Sequence, residues 1–443
     1  MKNDISYLMG KFLLRQELPL NEEEITRLLT NKCISRVAAI QKIKKRLTCT
    51  RCHNQKAHLF SSHYCITCRK HCEYCRHCLS LGKVKSCDFL YFWNGPTQQR
   101  VKQNHTLNWS GQLSRGQQVA SNAIVETIKD FQKHLIWAVC GAGKTEMIFH
   151  GIEKAFENGL KVLLATPRTD VVKELEPRFR QVFPSIEIAA LYGGSKDKDR
   201  DASIVLATTH QVLRYKEAFD VVIVDEVDAF PYNYDQSLKY AVERAKKERA
   251  ALILLSATPE RRLVNQYENH LTKIFRRFHG YALPVPTMNW VGDWKKQIRR
   301  QKLPKKLHEW LTAHEQPVLL FVPTIYYLEK VSDTLSRNDI KHQAVHASSK
   351  NRHHAVDDFR KGLCSVLVTT TILERGITIS NVAVAILGAE NEVFNEAALV
   401  QISGRVGRDP QYPNGDICYF HYGKTRAMVR SVKQIQEMNQ EKI

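Results

Sequence analysis

The stretch Ala138-Val-Cys-Gly-Ala-Gly-Lys-Thr145 follows a short apolar run and precedes an amphipathic segment. Its glycines allow backbone N–H groups to turn inward around phosphate oxygens, helped by the positive end of the following helix. In such a loop the lysine reaches the outer phosphates and the hydroxyl ligates Mg²⁺. An alanine stands where the usual first glycine would be. From the glycines, the lysine and the hydroxyl we predict that ATP and Mg²⁺ are bound by this loop. The residues are Ala138, Gly141, Ala142, Gly143, Lys144 and Thr145.

A second run, Val221-Val-Ile-Val-Asp-Glu226, is an apolar strand that ends in two acids. Two carboxylates at the end of a buried strand are costly unless a cation meets them. Asp225 is expected to hold Mg²⁺ through its water shell, and Glu226 to polarise the attacking water as general base or orienter. Because the phosphate loop lies upstream in the right order, these acids indicate ATP hydrolysis rather than a solvated strand end.

Short runs rich in Val, Ile and Leu alternate with helix-length segments on both sides of a basic, Pro-containing connector. Near-continuous apolar strands are buried on both faces, so each sheet should be parallel with helices on both sides. The pattern predicts an α/β fold with two lobes. The predicted strands are 134–139, 161–165, 203–207, 221–224 and 251–255, followed by 318–322, 344–346, 366–369 and 382–387.

The same patterns suggest five segments along the chain. They are a helical N-terminal segment (1–48), a cysteine-rich module (49–95), an ATP-binding lobe (96–275), a linker (276–306) and a second lobe (307–443).

The net charge of +21 is concentrated near the N-terminus, since residues 31–105 carry +13 of it. Such a basic surface calls for a polyanionic partner, either nucleic acid or an anionic membrane, although composition alone also allows a merely well-solvated surface. The aromatic stretch Phe89-Leu-Tyr-Phe-Trp93 in this region could stack bases or could belong to a core.

No apolar run approaches the roughly 20 residues needed to cross a bilayer. The N-terminus MKNDISYLMGKFLL has no convincing secretory cleavage site. We therefore expect the protein in the cytosol, where thiols stay reduced. Its twelve cysteines are then metal ligands or core residues rather than disulfides.

Eight cysteines lie close together and include three Cys-x-x-Cys pairs. Eight thiolates suffice for two tetrahedral zinc sites with four cysteines each. The segment has too little apolar material to form a core of free thiols, so zinc would supply its folding energy. The spacing leaves the pairing open, and a nearby histidine could replace a thiolate. The predicted ligands are Cys49, Cys52, Cys65, Cys68, Cys72, Cys75, Cys78 and Cys87.

Five further motifs follow the phosphate loop or the acids in order. They are Thr166-Pro-Arg168, Thr208-Thr-His-Gln211, Ser256-Ala-Thr258, Thr370-Thr-Ile-Leu-Glu-Arg-Gly376 and Gln401-Ile-Ser-Gly-Arg-Val-Gly-Arg408. With Asp-Glu-Val-Asp228 they resemble the motifs of helicase superfamily 2. That resemblance implies two RecA-like lobes that couple ATP hydrolysis to movement along nucleic acid.

The resemblance also implies roles for individual residues. One or both of Arg405 and Arg408 would stabilise transition-state charge on the transferred phosphate, and Gln401 opens the same motif. The segment 109–117 resembles a Q-motif, which would place Gln117 at the adenine edge, and Gly376 would belong to the nucleotide site. The nucleic-acid contacts implied are Thr166, Pro167, Arg168, Thr209, His210, Thr324 and Thr370.

Two positions depart from the DEAD-box RNA helicases. Gln401 stands where those proteins usually carry His-Arg, and Thr371 stands where they have Asp. Both features are more similar to DNA translocases of the superfamily, such as the replication-restart helicase PriA.

The order of the motifs resembles one family over nearly the whole chain. Tyr74-Cys-Arg-His-Cys-Leu-Ser-Leu-Gly-Lys83 is followed by Trp-Ser-Gly-Gln-Leu113, Gly-Ala-Gly-Lys-Thr-Glu-Met147 and Asp-Glu-Val-Asp-Ala-Phe-Pro231. This order is similar to the ComFA family of late competence proteins from Gram-positive bacteria. Shorter members of that family keep only four of the cysteines, which implies that Cys49, Cys52, Cys75 and Cys78 bind one ion and Cys65, Cys68, Cys72 and Cys87 the other.

The family resemblance implies a cytosolic ATPase, peripheral at the inner face of the membrane, that is stimulated by single-stranded DNA and helps to pull transforming DNA into the cell. Its implied partners are ComFC and the channel protein ComEC, and an oligomer is compatible with this role. Two alternatives stay open: a PriA-like replication-restart or repair helicase, and a zinc-stabilised DNA-binding scaffold without enzymatic activity.

Overall fold

The computed structural model describes residues 8–95, 100–347, 349, 352–371 and 379–441. Its contacts divide the chain into two compact units. The first comprises Met1–Gln112, Val119–Ile136 and Thr145–Thr272, and the second comprises Leu113–Gln118, Trp137–Lys144 and Lys273–Ile443. Most of the phosphate loop is therefore grouped with residues from the C-terminal half of the chain.

The N-terminal module consists of short antiparallel strands and one capped helix. Its elements are β1 (Phe12–Leu14), α1 (Glu22–Thr30), β2 (Ile34–Ala38), β3 (Ile40–Ile43), β4 (Arg46–Cys49), β5 (Phe60–Cys65), β6 (Lys70–Cys75), β7 (Val84–Lys85) and β8 (Phe89–Trp93). Strand β8 lies between β1 and β2, β3 pairs with β4, and β6 lies between β5 and β7. The side chain of Asn21 accepts the Glu24 N–H and the Glu24 carboxylate accepts the Asn21 N–H. This capping box explains the acidic run that begins α1.

The next part of the chain forms the first α/β lobe. Its elements are α2 (Arg115–Lys129), β9 (Lys133–Ala138), α3 (Lys144–Met147), α4 (Phe149–Glu157), β10 (Val162–Thr166), α5 (Thr169–Val182), β11 (Ile188–Leu191), β12 (Ile204–Thr208), β13 (Phe219–Val224), α6 (Gln236–Ala245), β14 (Lys246–Ser256), α7 (Arg261–Gln266) and β15 (Leu271–Ile274). The strand order is β11-β12-β10-β13-β14-β9-β15, and neighbours from β11 to β14 run parallel. Every residue of β10 and β12 is buried, as the apolar runs predict.

The C-terminal part forms a second lobe with a parallel sheet. Its elements are β16 (Thr287–Trp290), α8 (Trp294–Arg299), α9 (Lys305–Ala313), β17 (Val318–Phe321), α10 (Ile325–Arg337), β18 (His342–Val345), α11 (Arg352–Arg360), β19 (Val366–Thr369), β20 (Ala383–Leu387), α12 (Glu396–Ser403), β21 (Ile417–His421) and α13 (Arg426–Gln440). The order is β16-β21-β20-β17-β19-β18. Alternate residues of β20 enter two different apolar clusters, with Val384 in one and Ala385 in the other. The sheet is thus covered on both faces.

Every strand predicted for the two lobes is present among the described residues, and the α/β fold class is confirmed. The pattern did not predict β11, β15, β16 and β21. Strand β16 lies inside the segment expected to be a linker and pairs with β21. Its side chains are exposed or half-buried, so an edge strand of this kind gives no continuous apolar signal.

The segment 1–48 differs from the predicted helical segment. In its described part only Glu22–Thr30 forms an α-helix, and β1 to β4 account for most of the remaining regular structure. The residues of β1 are all buried because they pack against β8, which is a tertiary contact that local periodicity does not report. None of the helices that the structure describes has the length and apolar character needed to cross a lipid bilayer.

Candidate nucleotide-binding site and metal centres

The phosphate loop leaves β9 and enters α3. Gly141 and Gly143 have φ values of 81° and 72°, a left-handed conformation that strains any residue with a side chain. The ammonium group of Lys144 donates a hydrogen bond to the carbonyl of Ala138 at 3.3 Å. Thr145 is the second residue of α3. The loop backbone therefore has the conformation that a phosphate cradle requires, with its lysine folded back over its first residue.

The side chain of Gln117 is hydrogen-bonded to the phosphate loop. Its Nε2 donates to the carbonyls of Ala142 at 3.0 Å and of Gly143 at 3.4 Å. Its Oε1 accepts the backbone N–H of Ser114 at 2.8 Å. The residue is buried, with 4% of its surface exposed. The side chain expected at the adenine edge therefore ties the start of α2 to the phosphate loop.

The two acids predicted to act in ATP hydrolysis, Asp225 and Glu226, follow β13 directly. The N–H of Asp225 donates to the carbonyl of Ala165 at 2.8 Å, so the end of β13 is held against β10. Glu226 has a φ of 54°, and its N–H donates to the Asp225 carboxylate at 2.8 Å. The backbone therefore leaves the extended conformation of β13 directly at these two acids.

The nucleic-acid residues predicted in the first lobe lie at the same edge of the sheet. The N–H of Thr209 donates to the carbonyl of Thr166 at 2.9 Å, and both threonines are buried. The guanidinium of Arg168 makes two hydrogen bonds to the Asp170 carboxylate, at 2.7 and 3.0 Å. Burial lowers the pKa of His210 below its usual value. Nucleic-acid and catalytic motifs thus follow neighbouring parallel strands.

The other predicted nucleic-acid residues, Pro167, Thr324 and Thr370, do not take part in the hydrogen bonds that join Thr166 to Thr209 or Arg168 to Asp170. Pro167 is buried, Thr324 is exposed and caps α10 by accepting the Tyr327 N–H, and Thr370 is half-buried. Gly376 lies outside the described residues.

Asp228 connects two motifs, a role that we did not assign from the sequence. Its carboxylate accepts hydrogen bonds from the Ser256 and Thr258 hydroxyls, each at 2.6 Å. Ser256 also accepts the N–H of Thr258 at 3.1 Å. Both hydroxyl residues are buried. The acidic motif after β13 is therefore hydrogen-bonded to the Ser-Ala-Thr motif after β14. The third acid of Asp-Glu-Val-Asp was the available sequence signal.

The last motif begins in α12. Gln401 and Arg405 are buried, and the Arg408 Nε donates to the carbonyl of Gly404 at 2.9 Å. The Cys140 thiol of the phosphate loop donates to the Gln401 Oε1 at 2.8 Å. A side chain at Gly404 would place a Cβ atom 2.5 Å from the Cβ atom of Cys140. Glycine at this position therefore permits the contact, and Cys140 has a polar partner in addition to its place in the loop.

The eight cysteines of the N-terminal module form the two nested groups that the family resemblance implies. One group is Cys49, Cys52, Cys75 and Cys78, and the other is Cys65, Cys68, Cys72 and Cys87. Sγ–Sγ distances are 3.6 and 3.8 Å in the first group and 3.1 and 3.8 Å in the second. Tetrahedral coordination with metal–sulfur bonds of about 2.3 Å separates sulfurs by about 3.8 Å. The donor sets therefore suit metal ions.

The first cysteine group is part of the core of the first lobe. All four of its cysteines are 0% exposed, and they share one apolar cluster with Leu213, Tyr215 and Leu238. Hydrogen bonds among the four thiols lower the pKa of Cys75 and raise the pKa values of Cys52 and Cys78. In the second group Cys68 and Cys87 are partly exposed, and the cysteines of this group are not members of that apolar cluster.

Buried polar contacts fix the module to the lobe. Glu17 accepts from Arg51 at 3.0 Å and lies 2.6 Å from Arg214. Arg244 donates to the backbone carbonyls of Leu213, Tyr215 and Arg51. These contacts join residues that are far apart in sequence, so no local pattern predicted them.

A further contact lies beside the first cysteine group. His77, between Cys75 and Cys78, lies 2.7 Å from the Asp235 carboxylate. Asp235 also accepts the Ser237 N–H at the start of α6. The cysteine-rich module and the first lobe therefore form one structural unit.

Protein-family comparisons agree with this organisation. The competence protein ComFA N-terminal domain matches residues 2–92, the type III restriction enzyme res subunit matches residues 110–261, and the helicase conserved C-terminal domain matches residues 300–410. The structure is similar to S. cerevisiae Dbp5 bound to RNA and ADP BeF3, with a TM-score of 0.53, 17% identity, and coverage of 74% of this chain and 92% of that chain. The protein is an ATP-driven, helicase-type enzyme of superfamily 2.

Two curated relatives match almost end to end. Competence protein ComFA of Bacillus subtilis is 45% identical over 98% of this chain and 94% of its own length. Competence protein ComFA of Streptococcus pneumoniae is 35% identical over 100% and 99%. The chain belongs to the ComFA family of competence proteins. Its helicase domains imply the use of a nucleotide and Mg²⁺, and binding of nucleic acid.

The two cysteine groups should differ in their effect on stability. Cys52→Ser, which disrupts the group inside the lobe core, is expected to lower Tm by about 5–10 °C, and Cys68→Ser by much less. Thermal unfolding and metal analysis of the purified variants check this. Each variant should lose one metal ion per chain. Equal losses of Tm would contradict the assignment of the first group to the core.

Asp228 should contribute measurably to the stability of the first lobe. Asp228→Ala leaves two buried hydroxyls without their acceptor and is expected to cost about 2 kcal/mol of unfolding free energy. A double-mutant cycle with Ser256→Ala in urea should show a coupling of about 1 kcal/mol. Glu126→Ala, at an exposed ion pair in the same lobe, is the control and should change stability by less than about 0.5 kcal/mol. Additive effects of Asp228→Ala and Ser256→Ala would refute the network.

Proposed function

We propose that this protein is an ATPase stimulated by single-stranded DNA, that it translocates along the strand, and that it drives DNA uptake during competence. The observation that supports the proposal is that the predicted nucleic-acid residues and the predicted acids of ATP hydrolysis lie at the ends of neighbouring strands. Thr166 ends β10, Thr209 follows β12, and Asp225 follows β13, which pairs with β10 on its other side. A change at the acids during hydrolysis is therefore next to the backbone that would hold the nucleic acid.

Individual residues have distinct roles in this proposal. Lys144 neutralises charge on the outer phosphates, and Glu226 orients and polarises the attacking water. Arg405 and Arg408 stabilise negative charge in the transition state. Gln401 positions this motif through its contact with Cys140. Thr145 and Asp225 would hold Mg²⁺, which neutralises phosphate charge when bound.

The hydrogen bonds of Asp228 provide a route from hydrolysis to movement. Its carboxylate is two residues from Glu226 in the chain and is held by Ser256 and Thr258. A shift of the acidic motif would therefore change the hydrogen bonding of the segment after β14. Motif III of superfamily 2 is associated with the same coupling.

Single-stranded DNA is the proposed substrate for two reasons. The motifs at Gln401 and Thr371 are similar to those of DNA translocases, and the basic charge is concentrated in the N-terminal module. Zinc is the proposed metal at both cysteine groups, because four thiolates at tetrahedral spacing suit Zn²⁺. The proposed partners are ComFC and the channel ComEC, with peripheral attachment at the inner face of the membrane.

Removing the charge of Lys144 or of Glu226 should abolish ATP hydrolysis. Lys144→Ala and Glu226→Gln are each expected to lower ATP turnover by about 100-fold or more, because each removes a charge that the reaction needs. ATP turnover is measured with single-stranded DNA, duplex DNA and RNA side by side. Lys129→Ala, at an exposed lysine, is the matched control and should behave as wild type.

Stimulation by RNA but not by single-stranded DNA would exclude the proposed substrate. Robust unwinding of forked duplexes, with normal transformation in a deletion strain, would favour a replication-restart or repair helicase. An absence of turnover with all three nucleic acids would favour a scaffold without enzymatic activity.

DNA affinity should depend steeply on salt through the basic N-terminal module. Lys44 and Lys45 form the exposed turn between β3 and β4. The double variant Lys44→Gln/Lys45→Gln is expected to reduce the slope of log affinity against log salt by about 1.4, since each phosphate contact contributes about 0.7 on single strands. Titrations between low and high salt measure the slope. Lys433→Gln, at an exposed position of α13, should leave it unchanged, and an equal effect of both variants would argue against a binding role of the turn.

A further inference from the structure

Arg277 is a buried cation that the proposed mechanism does not use. It follows β15 in the chain and has 1% of its surface exposed. Its Nη1 donates to the carbonyl of Gly407, but its Nε and Nη2 have no hydrogen-bond partner within the described part of the chain. A buried guanidinium with unused donors is costly unless an anion meets it.

The surroundings of Arg277 are the phosphate loop and the last helicase motif. The nearest atoms to a Cβ atom built on Gly141 would be Cδ, Nε and Cγ of Arg277, at 3.6 to 3.7 Å. Burial, and secondarily the charge of Arg408, lowers the pKa of Arg277 to about 10. The residues involved all belong to the second unit. Arg277 therefore lies against a loop whose backbone has the conformation for phosphates, and Arg408 is near enough to affect the pKa of Arg277.

No carboxylate offsets this charge. Among the described residues Arg277 takes part in no ion pair with Asp or Glu, whereas Arg51, which is also buried, is paired with Glu17. A Cβ atom at Gly407 would lie 2.1 Å from the backbone oxygen of Pro413 and 2.6 Å from Nη1 of Arg277, so a side chain does not fit at this position. The Arg277 guanidinium thus lies close to the backbone of both Gly141 and Gly407.

We propose that Arg277 contacts the terminal phosphate of the nucleoside triphosphate bound by the loop. The planar fork of a guanidinium matches two phosphate oxygens, and the two unused nitrogens of Arg277 supply such donors. The terminal phosphate is indicated because the neighbouring Arg408 belongs to the motif that stabilises charge on the transferred group. The inference rests on the proposed nucleotide site and adds a residue that distinguishes the triphosphate from the diphosphate.

The test compares affinities of the full chain for a non-hydrolysable ATP analogue and for ADP. Arg277→Met keeps much of the buried volume and removes the charge. It is expected to lower affinity for the triphosphate analogue about tenfold and to change affinity for ADP by less than about twofold. Arg276→Gln removes a charge from the adjacent residue, which instead donates to the carbonyl of Asn439, and should change neither affinity. Calorimetric titration provides both values.

Equal losses for the two nucleotides, or no loss, would show that Arg277 only supports Gly407. Should Arg277→Met fail to fold, Arg277→Lys decides, because a lysine keeps the charge but loses the fork. A reduced triphosphate preference in Arg277→Lys supports the contact, and a wild-type preference overturns it. DNA-stimulated turnover of the wild type is measured on the same preparations. Its absence would refute the translocase while leaving the comparison of affinities to decide the role of Arg277.

Discussion

Strand β10 is hydrogen-bonded to β12 on one side and to β13 on the other, so its last residues touch the ends of both neighbours. Ala165 accepts from Asp225, and Thr166 accepts from Thr209. Because the three strands are parallel and buried, none of them can shift its register without exposing apolar residues to water or disrupting the ladder. The first lobe thereby holds Asp225 and the predicted nucleic-acid residues Thr166 and Thr209 within one hydrogen-bonded layer.

The cysteine-rich module is attached to that layer by burial rather than by a flexible tether. The first cysteine group lies in the same apolar cluster as Val222 and Val224 of β13, and Arg244 ties the backbone of the module to the lobe. A metal ion in this group would stabilise the catalytic lobe itself. The second group is more exposed, and the basic hairpin between β3 and β4 is open to solvent, so these parts remain available to a polyanion.

Local patterns predicted the strands that are apolar along their whole length, because burial on both faces leaves a continuous signal. They also predicted the phosphate loop and the acids, whose chemistry restricts the residue types in sequence. They did not predict β1 or β16, whose short strands are recognisable only through their partners. Three other features depend on residues that are distant in sequence. They are the Asp228 network, the contact between Cys140 and Gln401, and the burial of Arg277 beside Gly141 and Gly407. Such contacts arise only when the fold brings them together.

The left-handed backbone at Glu226 has a consequence for how this family can change. A residue other than glycine held at a φ of 54° raises the energy of the folded state by about 1 kcal/mol, and the role proposed for Glu226 in ATP hydrolysis requires that residue to carry a carboxylate. Selection for heat tolerance would therefore favour glycine at a position where, in the proposed mechanism, glycine would abolish ATP hydrolysis. A relative that no longer hydrolyses ATP could gain stability by this single replacement. A glycine at this position would therefore indicate a relative that has lost ATP turnover.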